Sequence, residues 1–308
     1  MADPIRHVVD VSQFDRASVL ALFAAADRLR ALPRGSDLLR GYLLATIFYE
    51  PSTRTRLSFE SAMQRLGGSI LSTENAREFS SAIKGETVED TVRIVGGYAD
   101  AIVLRHHEQG AAHRAASVAT VPILNAGDGP GEHPTQALLD LYTISHELGR
   151  IDGLRVALVG DLRFGRTARS LARLFKLSTG GELVFVAPPE APMGEDVRRE
   201  LDAAGVRWSA ESDLARVLPE VDVVYQTRIQ KERFATPAEY EAAKGVYIID
   251  RAAMDRLNPG AIVLHPLPRV DEIAVSVDAD PRAAYFRQAE NGVYIRMALL
   301  CHVLGVRA

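Results

Sequence analysis

Hydroxyl and guanidinium side chains alternate in the run Ser52-Thr53-Arg54-Thr55-Arg56, which lies between an apolar stretch, Leu43 to Phe48, and a segment of helical period. Side chains of these types at this spacing are suited to holding an anion. Ser52 or Thr53 is the natural N-cap of the helix that follows. The free N–H groups of its first turn, the positive end of the helix dipole and the Arg54 guanidinium are then aimed at one small volume. Two arginines in a first helical turn are unfavourable beside that positive end unless an anion lies close by. The chemistry implied is the binding of a phosphate.

Other polar residues stand where strands end. Arg105 directly follows the apolar run Ala101 to Leu104, and ligands of parallel α/β sheets bind beyond the carboxyl ends of strands. A surface arginine closing a strand is the equal alternative. His133 and Gln136 follow a strand, Val121 to Leu124, and a turn-rich break, Asn125 to Gly131. They open a helix with Pro134 in its first turn, where a donor can face a carbonyl oxygen. The stretch Ser72 to Gly85, with Ser80, Ser81 and Lys84, has the composition of a solvated loop. Two more polar loops, Gln226 to Arg233 and His265 to Ile273, each follow a strand. In the second, Pro266 and Pro268 remove backbone donors and hold the neighbours of Leu267 extended, which leaves carbonyls to accept from an amine or amide.

The elements that must position these groups are legible from periodicity. A helix spans Phe14 to Leu32 and a strand Leu43 to Phe48. Beyond the anion loop Phe59, Ala62, Met63 and Leu66 recur at i, i+3, i+4 and i+7, giving a helix with one apolar face. Ile70-Leu71 is a short strand, Thr91, Ile94, Val95 and Tyr98 mark the next helix face, and a helix around Gly110 to Val118 follows. Leu138, Leu141, Tyr142 and Leu148 form the face of the helix that His133 opens. A second cycle begins at Ile151, with strand Arg155 to Val159, turn Gly160 to Arg166, and Ala168, Leu171, Ala172 and Phe175 on a helix. Strands at Leu183 to Val186, Val206 to Ser209, Val221 to Tyr225, Tyr247 to Ile249 and Ile262 to Leu264 complete the alternation. The Gly160 turn lacks the first Gly-x-Gly pair that a dinucleotide pyrophosphate requires, so a nicotinamide enzyme is set aside. Val293 to Leu304 forms a packed terminal helix in which Cys301 is a small buried side chain. The fold class is α/β, with two doubly wound lobes, each a mainly parallel sheet flanked by helices.

Composition narrows the classes. With 308 residues and 47% hydrophobic content the chain is long enough for two ordinary domains. A net charge of −4 argues against a general nucleic-acid surface. No segment offers about 18 continuous apolar residues, and Met1 to Asp10 has no long apolar core, so neither membrane insertion nor export is expected. The single cysteine excludes an internal disulfide and any multi-cysteine metal site, and it fits a reducing compartment, the cytoplasm.

The segments PSTRTRLSFE, KGET, HPTQALLDLYTI, GDLRFGRT, TRIQKER and HPLPRVDEI together resemble the aspartate/ornithine carbamoyltransferases, and the similarity runs over nearly the whole chain. TRIQKER and HPLPR point to the aspartate branch, because ornithine members typically carry a cysteine-containing HCLP segment at the place of His265 to Pro268.

What this resemblance implies is specific. The reaction would be transfer of the carbamoyl group of carbamoyl phosphate to the amine of L-aspartate, an early step of pyrimidine synthesis, with no cofactor and no metal. Ser52, Thr53, Arg54, Thr55 and Arg105 would hold the phosphate. Thr55, Arg105 and His133 would polarise the carbonyl oxygen. Gln136 and the carbonyl of Leu267, with that of Pro268 as a second candidate, would receive the carbamoyl amine. Arg166, Arg228 and Gln230, with Lys84, would bind the carboxylates of aspartate. Residues 1–132 and 289–308 would form the carbamoyl phosphate domain, 133–150 a connecting helix and 151–288 the aspartate domain, with the active site between the lobes. The family also implies a homotrimer in which Ser80 and Lys84 reach a neighbouring subunit's site, alone or in a dodecamer with regulatory chains or with dihydroorotase. Glu50 would pair with Arg166 and Arg233 in a closed state. One departure stands out: some members have two consecutive lysines where this chain has Ile83 before Lys84. The alternatives are a carbamoyltransferase acting on another amine and a non-catalytic scaffold.

Overall fold

The computed structural model describes residues 6–32, 35–76, 84–229, 236 and 245–308. Strand β1 (Leu43–Phe48) is buried at every position but its first. That pattern belongs to a central strand of a parallel sheet, which is covered on both faces and so reads as a continuous apolar run. Its neighbours are β2 (Ser69–Glu74) on one side and β3 (Ala101–His106) on the other, and β4 (Ile123–Asp128) pairs with β3. All three pairings are parallel, in the order β2-β1-β3-β4. Helices α1 (Arg16–Arg30), α2 (Thr53–Arg65), α3 (Val88–Val95), α4 (Ala111–Val118) and α5 (Pro134–Leu148) accompany these strands. Phe59, Ala62, Met63 and Leu66 are all fully buried, as their helical spacing requires. Phe59→Ala would cost about 3–5 kcal/mol and would be the most direct way to unseat α2. Asp15 caps α1 by accepting from the Ser18 N–H at 2.8 Å, and Thr87 caps α3 by accepting from the Asp90 N–H at 3.1 Å.

A second parallel sheet is built from β5 (Arg155–Val159), β6 (Glu182–Val186), β7 (Arg207–Glu211), β8 (Val223–Gln226) and β9 (Ile262–Leu264), ordered β7-β6-β5-β8-β9. Helices α6 (Arg166–Leu174), α7 (Glu195–Ala203), α8 (Leu214–Val217) and α9 (Arg251–Arg256) belong with it, and α10 (Tyr285–Val303) closes the chain. The core under this sheet is made by Ala157, Val159, Val184, Val186, Val224 and Val263 with Met254, Ile273 and Tyr285. The chain divides spatially into Met1–Leu139 with Glu290–Ala308, and Asp140–Ala289. The fold is therefore the expected α/β pair of parallel sheets flanked by helices.

Two local expectations are corrected. Asn125 to Asp128 is not a break but the second half of β4. The buried Asn125 donates to the Val9 carbonyl and accepts from the Gly127 N–H, 2.8 Å each, so its side chain is satisfied within the sheet. Tyr247 to Ile249 makes only an isolated bridge, Ile249 with Ile273, and no strand. Thr91, Ile94, Val95 and Tyr98 do share one face: they line a cavity of about 400 Å³ with Tyr49 and Leu71, and Ile94 and Tyr98 are exposed.

Candidate active site

In each sheet successive strands wind outward from one point, which lies between β1 and β3 in the first sheet and between β5 and β8 in the second. Open α/β sheets bind ligands outside the carboxyl ends of strands at such switch points. At the first, Phe48 stands beside Arg105, and the Tyr49 N–H extends the ladder to the Arg105 carbonyl at 2.9 Å. The chain then turns into α2. Ser52 occupies the N-cap with φ −157° and ψ 85°, yet its side chain makes no capping hydrogen bond, and Thr55 is buried. Arg54 is exposed to solvent and forms no ion pair among the described residues, and partial burial lowers its pKa from the ordinary arginine value. A cation held in this way gains most from an anion supplied from outside.

Arg56 behaves differently, which corrects the expectation that both arginines await an anion. Its guanidinium lies 2.9 Å from Glu74 and 3.6 Å from Glu60 and donates to Ser72 Oγ at 3.0 Å. Glu60 is buried and also accepts from Thr46 Oγ1 at 2.9 Å. Arg56 is thereby a strut between α2 and the edge strand β2.

Arg105 donates to the Ala126 carbonyl at 3.0 Å and lies 3.5 Å from the Glu50 carboxylate. Next to it His106 is buried against the Tyr49 ring, 4.6 Å between centroids, and accepts at Nδ1 from the Glu108 N–H at 3.0 Å. Burial, with a smaller contribution from His107, pushes its pKa down to about 4, so this imidazole is neutral. The end of β4 is tied down by Asp128, which accepts from the Gly110 and Glu132 N–H groups at 2.8 and 2.7 Å. Gly129 has φ 55°, and a Cβ there would meet the His107 carbonyl at 2.2 Å. Beyond this cradle His133 and Gln136, 4% and 9% exposed, begin α5, where the His133 carbonyl accepts from the Gln136 N–H at 3.0 Å. Lys84 is exposed and unpaired among the described residues. Ser80 and Ile83 lie outside those residues, as do Gln230 and Arg233.

At the second switch point Val159 stands beside Gln226. The strand ends approach so closely that a Cβ on Gly160, at φ 112°, would meet the Thr227 carbonyl at 2.4 Å. Arg166 opens α6 behind Gly165, and Arg228 follows β8 by two residues; both are partly buried. Leu267 and Pro268 follow the adjacent strand β9. Leu267 itself departs from the extended backbone that a residue before proline prefers. It lies in the left-handed region at φ 56°, and the Leu267-Pro268 peptide is cis. Its N–H is held by His265 Nδ1 at 2.7 Å, a contact that replaces the steric preference of an isolated pre-proline residue. Sequence reading also passed over His265 and Glu272 themselves. Their signal was available: a histidine two residues before Leu267 and a carboxylate seven residues after the histidine, in a loop whose two prolines carry no N–H.

Sequence positions far apart thus converge at two strand-end clusters. Ser52, Thr53, Arg54, Thr55 and Arg105 share one switch point, with His133 and Gln136 at the start of the helix after β4, and Arg166 and Arg228 share the other. Residues 6–146 match the carbamoyl-P binding domain, and residues 152–303 the Asp/Orn binding domain, of aspartate/ornithine carbamoyltransferase. The chain belongs to that family. It is 57% identical over 302 residues to the chloroplastic aspartate carbamoyltransferase of Oryza sativa subsp. japonica, across 95% of this chain and 83% of the relative. The catalytic subunit of M. jannaschii aspartate transcarbamoylase is similar with a TM-score of 0.91 at 45% identity, covering 98% of each chain. Aspartate transcarbamoylase of Trypanosoma cruzi in complex with N-(phosphonacetyl)-L-aspartic acid superposes with a TM-score of 0.91 at 43% identity, over 99% of this chain and 98% of the other.

Proposed function

We propose that this chain is an aspartate carbamoyltransferase, moving the carbamoyl group from carbamoyl phosphate to the amine of L-aspartate to give N-carbamoyl-L-aspartate and phosphate, within pyrimidine synthesis. The observation that carries the assignment of its donor site is Arg54, an exposed cation without a counter-ion among the described residues, at the N-terminus of α2 and at the first switch point. Ser52, Thr53, Arg54 and Thr55 hold the phosphate with Arg105. Thr55, Arg105 and His133 polarise the carbonyl oxygen, and Gln136 with the Leu267 and Pro268 carbonyls receives the carbamoyl amine. Residues 1–132 with 289–308 are the donor domain, 133–150 the connecting helix and 151–288 the acceptor domain.

The amine lone pair of aspartate forms the new N–C bond, the carbonyl becomes an oxyanion, and its collapse breaks the C–O bond to phosphate. The amine proton leaves to the departing phosphate oxygen, with His133, already engaged by the carbonyl, as the second candidate. Fixed donors around a developing oxyanion are each worth roughly 10²–10³ in rate. Holding two anionic reactants in one orientation supplies much of the rest. Arg166, Arg228 and Gln230, with Lys84, bind the aspartate carboxylates and offset the repulsion between the two reactants.

The same reading includes a homotrimer whose neighbouring subunit contributes Ser80 and Lys84, alone or in a dodecamer with regulatory chains or dihydroorotase. The exposed Leu71, Ile94 and Tyr98 around the cavity of the first unit supply apolar surface for a subunit contact. A cytoplasmic setting fits the single, buried Cys301, whose thiol burial pushes up to about 11. The test is a colourimetric carbamoyl-aspartate assay with aspartate or ornithine as acceptor. Formation of product from aspartate alone is expected; activity with ornithine instead, or none with either, would overturn the assignment.

A further inference from the structure

The loop after β9 is fixed by buried polar groups that the reaction as proposed does not use. His265 is 2% exposed and Glu272 6%. The imidazole accepts at Nδ1 from the Leu267 N–H at 2.7 Å, while Nε2 lies 2.8 Å from Glu272 Oε1. A ring nitrogen that accepts carries no proton, so the single proton of the neutral ring sits on Nε2 and is donated to the carboxylate. A second proton would set an Nδ1–H against the Leu267 N–H. The other Glu272 oxygen accepts from the Val270 and Asp271 N–H groups at 3.1 and 3.2 Å. Burial alone would raise the pKa of this carboxyl, but the hydrogen bonds from His265 and the backbone hold it below the usual range.

The chain of bonds continues behind the loop. The His265 N–H donates to Gln288 Oε1 at 2.8 Å, Gln288 Nε2 donates to Asp140 Oδ1 at 2.6 Å, and Asp140 Oδ2 accepts from the Tyr225 hydroxyl at 2.7 Å. Asp140, Tyr225 and Gln288 are buried, so these bonds are made in a low-dielectric setting where breaking them is costly. At the open end of this network stands Leu267, a branched side chain at φ 56°, where non-glycine residues are seldom found. Released from His265, its peptide would relax toward the extended region that residues before proline prefer, and its carbonyl would turn with it.

We propose that His265 and Glu272 are positioning residues for the donor: by fixing the Leu267 peptide they aim its carbonyl at the amine of the carbamoyl group and so let the site distinguish a carbamoyl from an acetyl donor. This deepens the proposed function and rests on the reading that the Leu267 carbonyl receives that amine. Acetyl phosphate carries a methyl group where carbamoyl phosphate carries the amine. It leaves the carbonyl without a donor, and a site that loses a hydrogen-bond partner rejects the ligand lacking it.

The test measures dissociation constants of carbamoyl phosphate and acetyl phosphate for the full-length protein and for His265→Leu, Glu272→Gln and His265→Asn, with thermal unfolding recorded for each. The wild type prefers carbamoyl phosphate. In His265→Leu and Glu272→Gln binding of carbamoyl phosphate weakens about 3–10-fold while that of acetyl phosphate changes by less than about twofold, the loss expected for one misaligned hydrogen bond. His265→Asn retains most of the preference, because an asparagine oxygen can accept from the N–H two residues on. An unchanged preference in both His265→Leu and Glu272→Gln, or equal weakening of both donors, would overturn the positioning role. A wild type with no preference would instead remove the underlying Leu267 assignment. Should His265→Leu fail to fold, Glu272→Gln provides the same comparison.

Discussion

The loop after β1 and the loop after β9 are both strand-end turns rich in charge, yet they treat that charge in opposite ways. In the first, the Ser52 side chain makes no capping bond and Arg54 has no counter-ion among the described residues. In the second, polar side chains are engaged by the protein itself: His265 with Leu267 and Glu272, and Arg269 with Asp278 and Tyr285. The difference separates groups kept for a ligand from groups that hold a frame. It also divides the first loop internally, since Arg56, two residues from Arg54, is taken up by Glu74 and Glu60.

The sharpest break of this contrast is Arg54→Ala. Turnover should fall by about 10²–10³-fold, as for loss of a transition-state donor, while stability stays within about 0.5 kcal/mol. Near-normal steady-state carbamoyl-aspartate formation would end the phosphate assignment. Arg228→Ala comes next: the aspartate concentration at half saturation should rise about 10–100-fold and the rate should drop, in line with losing a charge-assisted bond. An unmoved aspartate saturation curve would contradict that role.

Arg56→Met tests the other side. With Glu60 left buried without its cation, urea unfolding should show a loss of about 1–3 kcal/mol, whereas the rate changes by less than about tenfold. A large rate loss at full stability would make Arg56 a ligand rather than a strut. The smallest effect concerns acid stability. His106 in the folded chain titrates at about 4, below the ordinary 6.5. Between these values the unfolded chain binds the proton and the folded one does not, so stability falls as pH drops from about 6.5 toward about 4. His106→Gln should flatten that part of the unfolding midpoint against pH, and an identical slope in both proteins would remove His106 as its cause.

The parallel sheets were legible because their central strands are apolar runs and their helices keep a regular period, as Phe59, Ala62, Met63 and Leu66 illustrate. The anion loop was legible because few other functions explain its residue types at a helix start. Four features escaped for physical reasons. Asn125 to Asp128 has turn-forming residues, but the Asn125 side chain is satisfied across to Val9, a partner 116 positions away. Tyr247 to Ile249 has the composition of a strand but only one bridging partner. Arg56 was separable from Arg54 only in part, since Glu60 stands four residues on in α2 but Glu74, the nearer carboxylate, arrives from β2. The left-handed Leu267 likewise depends on a side-chain contact, not on the propensity of its dipeptide.

The backbone at Gly129 makes that position a slot for a hydrogen atom. Any larger substituent would have to lift the segment at His107 off the end of β4, and Asp128, bonded to both Gly110 and Glu132, would pass the displacement on to the neighbour of His133. A residue that never meets a reactant is thereby as intolerant of replacement as one that does, and a screen for inactive variants should find the two side by side.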